Sequence, residues 1–305
     1  MLVLKRPITG SYHLNKNRPR HCRALFTFAL GHNVMIALQT YIPPGLSGFV
    51  KSFWQISVHG LSGPTYKEDI LPDGHHEIIF HVTRQKARRT TEGASWIIEP
   101  DAFFAGQTLH SYSLELENNS LLYGIRFHPH TLHILFGFPA DLLTNNILPL
   151  HDIPAAYVLK NCITENFETT CRNLETALLQ RCKRADVSAN KFHYIDYSVQ
   201  EIIKKRGDIS ICHLLNRTGI SQRYFDTLFR QSVGITPKSF CNIVKLNGLI
   251  SYKNKHPHKK LTECCYESNF FDQSHFIKLF KSVTGKLPKE YFKNYHHIND
   301  HFADL

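Results

Sequence analysis

Two short faces of polar side chains hold the residues of this 305-residue chain best suited to chemistry. One carries Gln222, Arg223, Asp226, Thr227 and Arg230; the other carries Gln273, Ser274, Ile277, Lys278 and Lys281. These are mostly hydrogen-bond donors and acceptors set at helical spacing, with cations at the end of each set. Their chemistry is that of recognition: reading donor and acceptor patterns and meeting anionic oxygens.

The elements that must position these faces say nearly the same thing twice. Phe225 and Phe276, Phe229 and Phe280, Gly234 and Gly285, and Pro237 and Pro288 are each 51 residues apart. Before the first face, Ile211, Leu214 and Leu215 fall at helical spacing, Gly219 supplies a left-handed residue to end that helix, and Ser221 is placed to cap the next. Before the second, Asn269 and Asp272 take the places of the glycine and the serine with the same chemistry, because Asn tolerates positive φ and Asp is a strong cap. The aromatic residues four apart bury one stripe of each capped helix and leave the polar face outward. The unit is therefore a helix–turn–helix, present twice and joined by an apolar-periodic segment through Phe240, Ile243, Val244, Leu246, Leu249 and Ile250. A capped helix, propped on its neighbour and polar outward, has the shape that enters a DNA major groove.

The stretch Asn269-Phe270-Phe271-Asp272-Gln273-Ser274-His275-Phe276, continuing through Phe280-Lys281 and Thr284-Gly285-Lys286-Leu287-Pro288 to Tyr291, resembles the most diagnostic region of AraC-type transcription regulators. The likeness spans about 191–293 and implies sequence-specific binding of double-stranded DNA, with helices at about 221–232 and 272–283 entering successive major grooves. It implies base contacts from Arg223, Asp226 and Thr227 and from Gln273, Ser274, Ile277 and Lys278. Arg223 and Lys278 suit guanine, Gln273 adenine, Asp226 the cytosine amino group and Ile277 a thymine methyl. Ser210, Ser221, Arg230, Thr262 and Lys281 are expected at phosphates. Leu215 and Cys265 stand where the family has a small alanine, and Gly248 interrupts the joining helix.

From Met35 to about Leu122 the period changes to two. The runs 49–56, 76–82, 95–98 and 121–127 are β-branched and aromatic, with turn formers at Pro43-Pro44-Gly45, Pro72-Asp73-Gly74 and Asn118-Asn119. Tyr41-x-Pro43, Val50-x2-Phe53-Trp54, Pro72-Asp73-Gly74-x2-Glu77 through Phe80, Gly106-Gln107 and Gly124-x-Arg126-Phe127-x-Pro129 together are similar to the cupin-like N-terminal domain of one branch of the same regulators. The expected fold class is thus α+β: a basic extension over 1–34, a β-barrel or sandwich over 35–138, a helical connector over 139–190, an all-α tandem helix–turn–helix domain over 191–295 with motifs at about 208–232 and 260–284, and a tail over 296–305. In the connector, Phe167, Cys171, Leu174 and Leu178 form one apolar stripe, which fits either packing against the barrel or pairing with a second copy in a homodimer. A small-molecule effector and RNA polymerase are the further partners the resemblance implies.

Composition bounds the alternatives. A formal net charge of +11 fits an anionic partner, and from Lys191 onward Lys and Arg exceed Asp and Glu by about eight. The extension is basic and reads either as an arm touching phosphates or as a segment outside the folded domains. Eight cysteines without C-x-x-C spacing read as reduced thiols of a cytoplasmic protein, and no apolar run reaches the length of a membrane span. Twenty histidines raise a metal-dependent cupin enzyme as an alternative. However, His75-His76-Glu77 points successive side chains to opposite faces of a strand, and Pro129 turns His128-x-His130-x2-His133 toward a helix, so neither a metal nor a cofactor is expected. Trp54, His81, Trp96 and Arg126 read as structural. The other alternative is a basic protein that binds nucleic acid or an acidic surface without regard to sequence.

Overall fold

Strands that are apolar on both parities must be covered on both faces, and this decides the architecture of the first half. The computed structural model describes residues 22–29, 35–91, 94–185, 190–270 and 272–293. Its strands are β1 (Cys22–Ala29), β2 (Met35–Tyr41), β3 (Val50–His59), β4 (Thr65–Ile70), β5 (Glu77–His81), β6 (Ala87–Thr91), β7 (Ile97–Ile98), β8 (Ala102–Ala105), β9 (Tyr112–Glu117), β10 (Leu121–Phe127) and β11 (Ile147–Pro149). They form two antiparallel sheets, ordered β1-β2-β3-β10-β5-β8-β11 and β4-β9-β6-β7. One face of the larger sheet, with Phe53, Ile78, Phe80, Phe104, Tyr123, Ile125 and Phe127, packs under helices α1 (Thr131–Phe136) and, after the short α2 (Pro154–Tyr157), α3 (Phe167–Cys182). The opposite face, with Trp54, Ile56, Ile79, Phe103 and Leu122, meets Ala87 and Leu116 of the smaller sheet. Gly124 pairs with Trp54 across β10 and β3, and a Cβ there would lie 2.0 Å from the indole, so the glycine lets Trp54 lie flat across the sheet.

Two stretches differ from the sequence expectation. The extension over 1–34 contains a strand: β1 pairs with β2 at the edge of the large sheet. The basic residues around Cys22–Ala29 obscure its alternation, although Gly31-His32-Asn33 is a turn signal between two apolar runs. Residues 1–21 and 30–34, and the tail from 294, lie outside the described residues. The connector is only partly helical, since Pro139, Pro149 and Pro154 break it into 3-10 turns, and Ile147–Pro149 adds a strand beside β8. Its one long helix is α3, capped by the Asn166 side chain on the Thr169 amide. The stripe of Phe167, Cys171, Leu174 and Leu178 is buried in the core beneath the large sheet. Of the two readings of that stripe, packing is therefore the one found.

The second half is all helix: α4 (Asn190–Lys204), α5 (Ile211–Thr218), α6 (Gln222–Val233), α7 (Pro237–Lys255), α8 (Leu261–Glu267), α9 (Gln273–Thr284) and α10 (Pro288–Tyr291). Two cores lie along α7. One gathers Ile195, Val199, Leu214, Phe225, Phe229 and Phe240; the other gathers Leu249, Cys264, Cys265, Phe276, Phe280 and Tyr291. Leu71, from the end of β4, is buried in the second of these, so the β-rich half reaches into the helical half. A Cβ at Gly248 would meet open space, so packing does not require the glycine that interrupts α7. No helix among the described residues is long and apolar enough to cross a membrane.

Candidate nucleic-acid interface

Each recognition face is built by the same local devices. Helix α5 ends on Gly219 at φ 71°, and the Ser221 hydroxyl then accepts from the Tyr224 amide at 3.4 Å to start α6. Asn269 at φ 57° ends the corresponding turn after α8, and the Asp272 carboxylate accepts from the His275 amide at 2.7 Å to start α9. The side chains of Phe225 and Phe229 on α6, and of Phe276 and Phe280 on α9, are fully buried. Their burial turns the polar faces outward.

On α6 the side chains of Gln222, Arg223, Asp226, Thr227 and Arg230 line one shallow open surface. Arg223, Thr227 and Arg230 are exposed, and the Thr227 hydroxyl donates back to the Arg223 carbonyl at 3.0 Å. On α9, Ser274, Lys278 and Lys281 are exposed while Gln273 and Ile277 are half-buried. Ile277 packs on the core around Phe276, which leaves only part of its side chain outward. Thr262 is the second residue of α8 rather than its cap, and its hydroxyl donates to Gln273 Oε1 at 3.1 Å. Ser210 does cap its helix, accepting from the His213 amide at 3.1 Å. Leu215 is half-buried against the first core, whereas Cys265 is fully inside the second.

Among the described residues, polar contacts from the β-rich half meet the helical half at the ends of α6 and α9, on α7 and, through His130 and Asp196 3.2 Å apart, on α4. His76 Nε2 donates to the Val233 carbonyl at 3.0 Å, and the Thr144 hydroxyl donates to the Gly234 carbonyl at 2.5 Å, both at the end of α6. His110 Nδ1 donates to the Ser282 carbonyl at 2.8 Å, and Ser111 donates from its amide to the Val283 carbonyl at 2.7 Å and from its hydroxyl to the Thr284 carbonyl at 3.2 Å, all at the end of α9. Between them, Asn247 Nδ2 of α7 donates to the Pro72 carbonyl at 2.8 Å, and Lys286 pairs with Asp69.

Beneath α7 the two sheets enclose a cavity of about 70 Å³, lined by apolar side chains that include Trp54, Leu71, Ile79, Leu114, Leu122 and Ile250. Two buried ion-pair networks form its polar wall. In the first, Arg126 donates to Glu77 at 2.9 Å and pairs with Asp73, while Trp54 Nε1 donates to the same Glu77 oxygen at 3.0 Å. In the second, Arg89 donates to Glu99 at 2.6 Å, His81 lies 3.1 Å from the other Glu99 oxygen, and the Arg89 guanidinium sits 4.4 Å from the Tyr112 ring centre. Burial works against both arginines, yet their carboxylate partners outweigh it and hold the guanidinium groups charged. Burial would also raise the Glu99 carboxyl, but Arg89 and His81 together hold it below the usual range. Burial pushes the Tyr112 phenol up to about 12, so it stays a neutral hydrogen-bonding group. Sequence reading singles out Trp54, His81 and Arg126 here only as structural residues, and it misses Arg89, Glu99 and Tyr112. Trp96 lies outside the cavity lining, under the cations of Lys67 and Arg88, each 5.0 Å from its ring. Among the described residues no group of three or more His, Cys, Asp or Glu side chains is arranged to hold a metal.

His76 also makes a testable prediction. It is fully buried, its Nδ1 has no partner, and burial lowers its pKa from 6.5 to about 4. The unfolded chain therefore binds the extra proton between these values, so stability is complete above pH 6.5 and falls as pH drops toward 4, by roughly 3 kcal/mol at most. Neighbouring Asp73 acts in the opposite direction and moderates the effect. Denaturant unfolding at pH 7 and pH 5 should show this loss in the wild type and a smaller one in His76→Gln, which can still donate to Val233. Equal losses in the two proteins would contradict it.

Residues 39–149 match a family model described as a domain of unknown function, DUF6597, and residues 214–294 match a helix-turn-helix domain model. No curated protein matches the chain. Among solved structures, ToxT from Vibrio cholerae is similar at 13% identity, with 76% of this chain and 98% of that chain covered and a TM-score of 0.41. ToxT bound to (E)-4-(8-methylnaphthalen-1-yl)but-3-enoic acid is similar at 13% identity over 76% and 99% of the two chains, with a TM-score of 0.42. The AraC-like transcriptional activator CuxR is similar at 14% over 77% and 85%, with a TM-score of 0.31. The tandem capped motifs and the family match over them lead to one conclusion: behind its β-rich half, the chain carries a helix-turn-helix domain at 214–294.

Proposed function

We propose that this protein binds duplex DNA sequence-specifically through α6 and α9, and that the β-rich half senses a small molecule and alters that binding. The observation that carries the DNA reading is the repeated construction of an outward polar face on a capped helix, twice, 51 residues apart. The two helices enter successive major grooves on one side of the duplex, about 34 Å apart. Arg223, Asp226 and Thr227 read bases from α6; Gln273, Ser274, Ile277 and Lys278 read them from α9. Gln273 is held in place by Thr262 rather than free to search, so the α9 contact to adenine is the more preorganised of the two. Ser210, Ser221, Arg230 and Lys281 serve the phosphates with their side chains, and Thr262, whose hydroxyl hydrogen goes to Gln273, with its backbone N–H in the first turn of α8. In this reading Arg223→Ala or Gln273→Ala costs about 1–3 kcal/mol and relaxes preference at one base pair, whereas Lys281→Ala weakens all duplexes alike. Titration of the three variants on a selected site and on random duplex checks this. Equal losses on both DNAs for all three variants would sink the assignment.

The cavity supports the sensing half of the proposal. Both of its arginines are already paired with carboxylates, so it offers no unbalanced positive charge, and its remaining wall is apolar. The molecule it suits is small, uncharged and mainly apolar, with a hydroxyl or carbonyl to meet Tyr112 or Trp54. Its route outward is short, because Glu77 of the cavity wall follows His76, and Tyr112 follows Ser111. Neutral probes such as indole and benzyl alcohol should raise the melting temperature at millimolar concentration, and benzoate should not. Stabilisation by benzoate alone would contradict the chemistry assigned here.

A further inference from the structure

The contacts made by the β-rich half on the two recognition helices fall at equivalent places of the repeat. Gly234 and Gly285 cap α6 and α9 and are 51 residues apart, as are Val233 and Thr284. The last carbonyls of a helix have no partner within it, so each terminus is a fixed row of acceptors. On α6 that row is taken by His76 and Thr144; on α9 it is taken by His110 and Ser111. These donors come from three loops of one rigid sandwich, those between β4 and β5, between β8 and β9, and before β11. Among the described residues of the helical half, helix α7 joins the two motifs. The sandwich is a second and independent bridge between them.

We infer that His76, Thr144, His110 and Ser111 are positioning residues for DNA recognition, which fix the separation and rotation between α6 and α9 and so set the spacing of the two DNA blocks the chain prefers. The inference rests on the reading of α6 and α9 as the DNA-contacting helices. The physical basis is that the donors hold the ends of the helices remote from their capped starts and leave the outward faces untouched. A rigid link of this kind penalises any duplex whose blocks are displaced. One inserted base pair moves the second block by about 3.4 Å along the axis and about 35° around it, more than a helix bonded at its end can follow.

The test uses the full chain. The blocks preferred by the wild type are placed at their selected separation and at one base pair more or less, and binding is measured for the wild type and for His76→Leu/Thr144→Val/His110→Ala/Ser111→Pro, in which proline removes both the hydroxyl and the amide donor at 111. The wild type should lose about 10-fold or more on either displaced duplex. The quadruple variant should lose less than about 3-fold on the displaced duplexes while keeping its preference for the bases within each block. Restoring the α6 hydroxyl as Thr144→Ser in the same background should restore part of the spacing penalty, which a general loss of folding would not do. If the quadruple variant, or failing its expression His76→Leu/Thr144→Val, which frees the end of α6, keeps the wild-type spacing profile, the inference is wrong while the DNA reading stands. A wild type that selects a single block, or none, overturns the two-helix reading and this inference with it.

Discussion

Replacing Arg126 with methionine is expected to destabilise the β-rich half by about 3–5 kcal/mol, because it leaves buried carboxylate without its counter-charge. The Arg126 side chain is 3% exposed and is shared between Glu77 and Asp73, which lie on the wall of the cavity. Burial pushes the Glu77 carboxyl upward, with Arg126 the main opposing influence, so the variant should take up a proton at Glu77 at a higher pH than the wild type. The loss belongs to the broken pair rather than to the arginine itself. Arg126→Met combined with Glu77→Leu should therefore recover most of the stability, since an apolar pair of similar volume does not need the counter-charge. Urea unfolding of the two variants decides this. A single variant that loses less than about 1 kcal/mol would mean that water already solvates the network.

Phe276→Ala should cost about 3–5 kcal/mol in the helical half and should remove one block of DNA preference while sparing the other. The Phe276 ring is fully buried, 5.2 Å from Phe270 and 5.5 Å from Phe280, and it props α9 on α8. Phe225, its counterpart 51 residues earlier, packs 5.7 Å from Phe229 in the separate core around α4 and α6. Because the two cores are distinct, Phe225→Ala should erase the opposite block. Denaturant unfolding gives the stability, and DNA selection with each variant gives the block lost. Loss of both blocks from either variant would show that the motifs do not read DNA as separate units.

These expectations differ in how much of their basis is legible in the sequence. Helix caps, the left-handed residues Gly219 and Asn269 and the aromatic pairs each act within four residues, so the tandem motif and its outward faces can be read from the chain alone. The cavity cannot. Arg126 meets Glu77 because β10 and β5 pair in that register, and Arg89 meets Glu99 only after the chain has turned back past Trp96. Register is a property of the assembled sheet and not of either strand. β11 is hidden for another reason: it has three residues, one of them Pro149, and it exists only because β8 offers an open edge. The contacts on the ends of α6 and α9 are least legible, since they join residues such as His76 and Val233 that lie 157 positions apart.

Selection from random duplex DNA at near-physiological salt, with the recovered sequences read out, tests the central claim most directly. Enrichment of two blocks separated by about one helical turn is the expected result, with guanine among the bases assigned to Arg223 and adenine at the position assigned to Gln273. Tight binding at low salt with no enriched sequence, both without added ligand and with the neutral probes that fit the cavity, would contradict it.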